Sequence, residues 1–169
     1  MAKAVIVLVA LSLLLPAASG AAPRQVGSTK ACLHTAQHEH EVCTAYVVNC
    51  ALISLAPYYV FVRSANPARR KKVVGRLKSR YHDSALTLIR ERTAWWPRGE
   101  NRVGLPDINI LSVKVDLSAN QAILVTRESW QVTSSKGLDL YREDHQRHVI
   151  IMRRVPGLIL HKWVVTAFR

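Results

Sequence analysis

From Asp107 to Arg169 apolar and polar residues alternate with period two through four successive runs, separated by turn residues. Alternation of this kind belongs to strands with one buried and one solvated face, so this part of the chain is expected to form an antiparallel meander. The runs are Ile108 to Leu117, Ala122 to Val132, about Glu143 to Arg153, and Leu158 to Phe168. Ser118 to Gln121 and Pro156 with Gly157 are short enough for hairpin turns, whereas Thr133 to Leu140 reads as a longer, looser connection. In the second run Leu124, Thr126, Glu128, Trp130 and Val132 share a face. In the last, Ile159, His161, Trp163, Val165 and Ala167 do so, which makes Glu128 and His161 polar members of apolar rows.

Upstream the period changes to that of a helix. Asn66 and Pro67 form a cap and a first-turn proline. After them Val73, Val74, Leu77, Tyr81, Ala85, Leu88 and Ile89 recur at steps of three and four, predicting one amphipathic helix from Pro67 to Arg92. Its other face carries a basic stripe in which Arg69, Lys72, Arg76 and Lys78 are the candidate anion-binding set, although such a stripe is commonly just a solvated face. Trp95 and Trp96, followed by Pro97 and Gly99, end the helix. Two adjacent indoles cannot both face inward on a regular element, so one is expected to line or lid a cavity, or to plug the end of the core.

Val42 to Val62 holds no charged residue over a length that would cross a bilayer, and the run Arg69 to Lys72 would suit a cytoplasmic border. Thr44, Asn49, Ser54 and Pro57, with Tyr58 and Tyr59, favour instead a buried helix that breaks before docking on a sheet. The N-terminus has a lone Lys3, an apolar stretch from Ala4 to Leu15, Pro16, and then small residues up to Gly20. That is the form of an export signal occupying 1–20, with cleavage after Gly20 or after Ala22.

Removing the signal leaves about 150 residues, one ordinary domain. A composition that is 49% hydrophobic excludes a disordered tail, and a net charge of +13 implies anionic partners. For an exported chain these are anionic cell-envelope polymers, phospholipid head groups or another envelope protein, with nucleic acid the least expected. Cys32, Cys43 and Cys50 allow one disulfide in an oxidising compartment. In a helix Cys43 and Cys50 stand about 10 Å apart along the axis, too far to bridge, so a bridge is expected from Cys32 to Cys43 or, as the second choice, to Cys50, the plainer alternative being three reduced, buried cysteines.

Tyr58 or Tyr59 with Arg63, the long helix ending at Arg90 to Arg92, the strands Val113 to Leu117 and Val125 to Trp130, the run His145 to Met152, and Trp163 with Val164 together resemble a nuclear-transport-factor-2-like domain. The exported version that precedes the catalytic module of some actinobacterial amidase-domain proteins is the nearest in flavour. The 169 residues show no counterpart of that module, so no hydrolase activity is expected from the resemblance. The resemblance, over about Leu52 to Arg169, implies an α+β cone in which N-terminal helices pack on a bent antiparallel sheet of about four strands. It also implies a pocket between them, which relatives use for small ligands, for homodimerisation or for catalysis. The expected organisation is a signal at 1–20, a flexible His-rich segment at 21–41 and a single domain at 42–169.

Enzymes of that class place a general base in the pocket, for which Glu128, His148 and His161 are the candidates, with His82 and Asp83 behind them. The plainer expectation for Glu128 is an ion pair with Arg127, Arg147 or Arg153 on a neighbouring strand. Tyr58, Trp95, Trp96, Trp130 and Trp163 are the expected pocket wall. His34 and His38 would share a helix face near His40, Glu41 and the cysteines, a weak metal pattern with no matching second half, so no metal and no cofactor is expected. The function these readings favour is an exported, non-catalytic binding or accessory domain at the cell envelope. An isomerase or dehydratase using Glu128 with a histidine is the alternative, and a membrane-tethered accessory protein spanning at 42–62 a third.

Overall fold

The period-two pattern becomes a curled antiparallel sheet, seen in a computed structural model that describes residues 37–157 and 161–169. The expected signal, Cys32, His34 and the start of the last run at Leu158 to Leu160 lie outside those residues. The strands are β1 (Arg102–Val103), β2 (Asp107–Asp116), β3 (Gln121–Thr133), β4 (Asp139–Val155) and β5 (Lys162–Phe168). β3 pairs with β4 on one side and with both β2 and β1 on the other, and β5 follows β4. The unexpected β1 continues the row of β2 beyond Pro106, whose missing N–H interrupts the ladder between them.

β3 is the most regular element. Ala122, Leu124, Thr126, Glu128, Trp130 and Val132 are all buried, while Arg127 and Gln131 between them are exposed. The connection from β3 to β4 is tighter than its composition implied. Ser134 donates its N–H to Leu138 O at 2.8 Å and takes the Leu138 N–H on its Oγ at 3.0 Å, and Gly137 supplies the left-handed residue at φ 83°.

The helices are α1 (Gln37–Val48), α2 (Leu55–Phe61), α3 (Pro67–Arg80) and α4 (Asp83–Ala94). A π-helical turn, Asn49–Ile53, joins the first two. Ser54 ends that turn by donating both its N–H and its Oγ to Asn49 O, at 3.1 and 2.7 Å. The break thus falls three residues ahead of Pro57, which sits in the first turn of α2, where its lacking N–H has no partner to lose. Within α1, over Gln37–Val48, His38 and His40 stand on a helix, and the rest of the expected segment, 21–36, lies outside the described residues. By length and composition Gln37–Phe61 is apolar enough to cross a membrane, and 44% of its most apolar window is buried inside the fold.

The single long helix expected from Pro67 to Arg92 is two helices. Asn66 caps α3 as expected, accepting from the Ala68 and Arg69 N–H groups at 3.0 and 3.2 Å. At Tyr81 the backbone turns extended, forms a parallel bridge to Val165 of β5, and lets His82 donate to Val165 O at 2.8 Å. Tyr81 is fully buried and stacks on Phe168 with ring centroids 6.1 Å apart. Its apolar character keeps the helical rhythm intact across the break, while the edge of β5 supplies the hydrogen bond that stops the helix. α4 restarts at Asp83, whose φ of 49° is a left-handed value that aspartate tolerates better than most residues.

The fold is therefore α+β, with helices laid on the concave face of a half-barrel sheet. Leu77, Ile89, Ile108, Ile110, Leu124, Ile150 and Met152 fill the interior with Tyr46, Tyr59 and Tyr81. Burying one such aliphatic side chain contributes about 1.5–3 kcal/mol.

Candidate functional site

A cavity of about 160 Å³ lies between the helices and the sheet. α1 gives it Tyr46, α2 Leu55, and α4 Leu88, Ile89 and Arg92. The sheet gives it Glu128 and Trp130 from β3, Tyr141, Glu143 and His148 from β4, and Phe168 from β5.

Glu128 is buried in its wall, 4% exposed. Its Oε1 accepts from the Tyr46 hydroxyl and from Thr126 Oγ1, both at 2.7 Å, and its Oε2 accepts from the Trp130 indole N–H at 2.8 Å. The strand-arginine pairing expected for it is not what forms. Arg127 and Arg147 sit opposite each other across β3 and β4, on exposed positions, and three neutral donors take the place of a cation. Thr126 and Trp130 follow from period two, which sets i−2 and i+2 on the face of Glu128.

Glu143 and His148 form an ion pair at 3.1 Å, with side chains 14% and 19% exposed. Their separation of five would put them on opposite faces of a regular strand. A bulge resolves this: Glu128 pairs with Gln146 and Trp130 with Glu143, so Asp144 and His145 together oppose Ser129. Ser129 Oγ accepts the His145 N–H at 2.9 Å, and His145 adopts φ 48°. The extra residue reverses the parity and brings Glu143 and His148 to the same side.

The pair is electrostatically matched. Burial works to raise the Glu143 carboxyl, but hydrogen bonds from His148 and Tyr141, with the charges of His148 and Arg92, outweigh it and hold the carboxyl below its ordinary value. The hydrogen bond to Glu143 raises His148, against the opposing effect of burial. Arg92 lies over the Tyr141 ring at 4.0 Å and donates to the Tyr59 hydroxyl at 2.9 Å. Burial pushes Tyr59 up to about 12, with Arg92 opposing, so the phenol is neutral and accepts from the guanidinium.

Tyr59, not Tyr58, is the aromatic hub, with Trp96, Trp130 and Tyr141 all within 6.2 Å of its ring centroid. Tyr58 is buried and bonds Thr93 Oγ1 at 3.1 Å. Trp96 is buried and Trp95 is 61% exposed, so of the two expected indoles one plugs the core and neither lines the cavity. Trp163 and exposed His161 line a separate groove near α1, so of the expected convergent set only Glu128, Trp130 and His148 meet.

The expected anion stripe divides similarly. Arg69 pairs with Glu100 at 2.7 Å and lies over the Phe61 ring, while Lys72, Arg76 and Lys78 remain exposed on α3. His38 meets Glu41 at 3.5 Å, and among the described residues no group of three or more His, Cys, Asp or Glu is placed to hold a metal ion. Cys43 is buried, and Cys50 is a buried free thiol 3.3 Å from the Tyr81 hydroxyl. Arg92, Tyr141, Glu143 and Tyr46 are among the cavity residues that sequence reasoning missed.

Compared with known proteins, the chain matches no protein-family model, no curated protein and no solved structure.

Proposed function

We propose that this chain is an exported, non-catalytic binding domain that takes a small, ring-sized molecule into the cavity between its helices and its sheet. The observation that carries the reading is that neutral donors of the fold itself hold both oxygens of Glu128. Three donors occupy its two oxygens, and Glu143, the other acid in the wall, is held by His148. A carboxylate so occupied positions a wall and is poorly placed to abstract a proton. The volume, about 160 Å³, is close to that of cavities that accept one benzene ring, about 150 Å³. Leu55, Leu88, Ile89 and Phe168 provide apolar lining, and Arg92, His148 and Arg169 are among the polar points.

The nuclear-transport-factor-2-like resemblance supports the same reading, because it implies a pocket in this place. The signal-like N-terminus and the net charge of +13 support action at an anionic envelope. Titrating the protein with phenol while following the NMR signals of Tyr46, Tyr141 and Phe168 tests it. Saturable shifts that Leu88→Trp abolishes are expected, and shifts that do not saturate would remove the reading. The alternative, an isomerase or dehydratase, draws on His148 sharing the cavity with Glu128; turnover of a hydroxy- or keto-substrate that Glu128→Gln abolishes would favour it. The tethered alternative rests on the apolar length of Gln37–Phe61. Recovery of residues 21–169 only in membranes would favour that one.

A further inference from the structure

We infer that the groove bounded by α1, the C-terminal end of α3, the end of β4 and the start of β5 is a second binding site, for a phosphate-bearing ligand. It is open, about 610 Å³, and shares no lining residue with the cavity above. Arg80, Arg154 and Lys162 converge on it from three elements, with Trp163 in its wall. The convergence is built by the fold. Tyr81 is bridged to Val165, which lays the end of α3 along β5, and Arg154 is the direct cross-strand partner of Trp163.

These cations differ from the other half-buried arginines. Arg63 is spent on Thr93 O and Ala94 O, Arg70 on Ser64 O, and Arg92 on Tyr59. Among the described residues Arg80, Arg154 and Lys162 enter no ion pair. Lys162 donates one N–H to Ser79 O at 3.0 Å, leaving two. All three are half-buried, so each has given up part of its hydration without gaining a counter-charge, which is costly until an anion arrives.

A second observation points the same way. Asn49 also lines the groove, is 1% exposed, and its Nδ2 has no hydrogen-bond partner among the described residues. A buried amide donor left over in a wall of cations is the complement of an oxygen-rich anion. One acid, Glu41, lines the groove, and it is engaged by His38 at 3.5 Å. Three cations against that single carboxylate leave an excess of two charges. A phosphate monoester carries about −1.5 to −2 near neutral pH, and guanidinium forks bind its oxygens in pairs. A lone carboxylate would match neither the charge nor the number of donors.

Calorimetric titration of the full chain with inorganic phosphate and with glycerol 3-phosphate, against chloride at equal ionic strength, tests the site. Flotation with phosphatidylcholine vesicles, with and without phosphatidic acid, separates a free phosphate from a lipid head group. Saturable binding in either arm is expected, weakened about tenfold or more by Arg80→Gln with Arg154→Gln. Arg154→Gln alone should give an intermediate loss, which keeps the test valid should the double variant fold poorly. Arg76→Gln on the exposed face of α3 and Leu88→Trp in the separate cavity should leave binding unchanged. Chloride-equivalent heats with no flotation, or affinity indifferent to Arg80 and Arg154, would overturn the inference.

Discussion

Tyr46 of α1 and Glu128 of β3 are 82 residues apart in the chain and 2.7 Å apart in the fold, the phenol donating to Oε1. The bond fixes the first helix on the concave face of the sheet. Burial, followed by the neighbouring Cys50 and Glu128, holds the Tyr46 hydroxyl in its neutral, donating form by raising its pKa well above the ordinary value. Tyr46→Phe removes one of three donors to a buried carboxylate and should cost about 1–3 kcal/mol in urea denaturation. A loss within error of zero would mean that Thr126 and Trp130 suffice.

The Glu143–His148 pair predicts a window of pH. Glu143 is held below 4.5 in the folded chain, so its contribution is full above pH 4.5 and is lost as pH falls through the lowered value. His148 is held above 6.5, so its contribution is full below pH 6.5 and is lost as pH rises through the raised value. The stability gap between the wild type and Glu143→Gln should therefore be widest from pH 4.5 to 6.5 and narrow on both sides. Urea midpoints across pH measure it, and a gap independent of pH would contradict the pairing.

The bulge makes a sharper prediction. Deleting His145 restores simple alternation along β4 and turns Glu143 away from the face of His148. Histidine NMR titration should then show His148 losing the upward shift that the ion pair gives it. His145→Gly, which suits the left-handed backbone there, should keep the pair and cost at most about 1 kcal/mol. Deletion without effect on His148 would show that parity is not what joins the two residues.

These cases also mark what the chain discloses unaided. The rows of β3 and the cap at Asn66–Pro67 are short-range patterns, and both appear where period and propensity place them. The class of fold follows from the same signals. The split of the long helix does not, because Tyr81 satisfies the helical rhythm while its backbone answers to Val165, 84 positions away. The pairing of Glu143 with His148 is hidden by one inserted residue, which a period-two reading treats as a change of face. Tyr46 was hidden because nothing in its own helix names Glu128. Trp163, by contrast, was placed on an apolar face correctly but assigned to the wrong cavity, since a face does not specify which end of the sheet it serves.

The cysteines give a chemical test. Cys50 is free, and burial, with the nearby Glu128 charge, pushes its thiol above the ordinary value, so it should resist alkylation until the protein unfolds. We propose Cys32 and Cys43 as the disulfide. Unfolded, unreduced protein should then take up a single alkyl group, at Cys50, by mass spectrometry. Three groups would remove the disulfide, and a single group elsewhere would reassign it.

The bridge between Tyr81 and Val165 has a consequence for the order of events as the chain emerges. α3 and α4 precede every strand in the sequence, yet the junction between them is closed by the last strand. Until residues 165 to 168 have been made, His82 lacks the Val165 carbonyl as acceptor for its N–H, and Tyr81 lacks the Phe168 ring that stacks on it. The junction of α3 and α4 therefore stays open until the last strand is in place, so this corner of the helical layer is expected to close late, through contacts far apart in sequence.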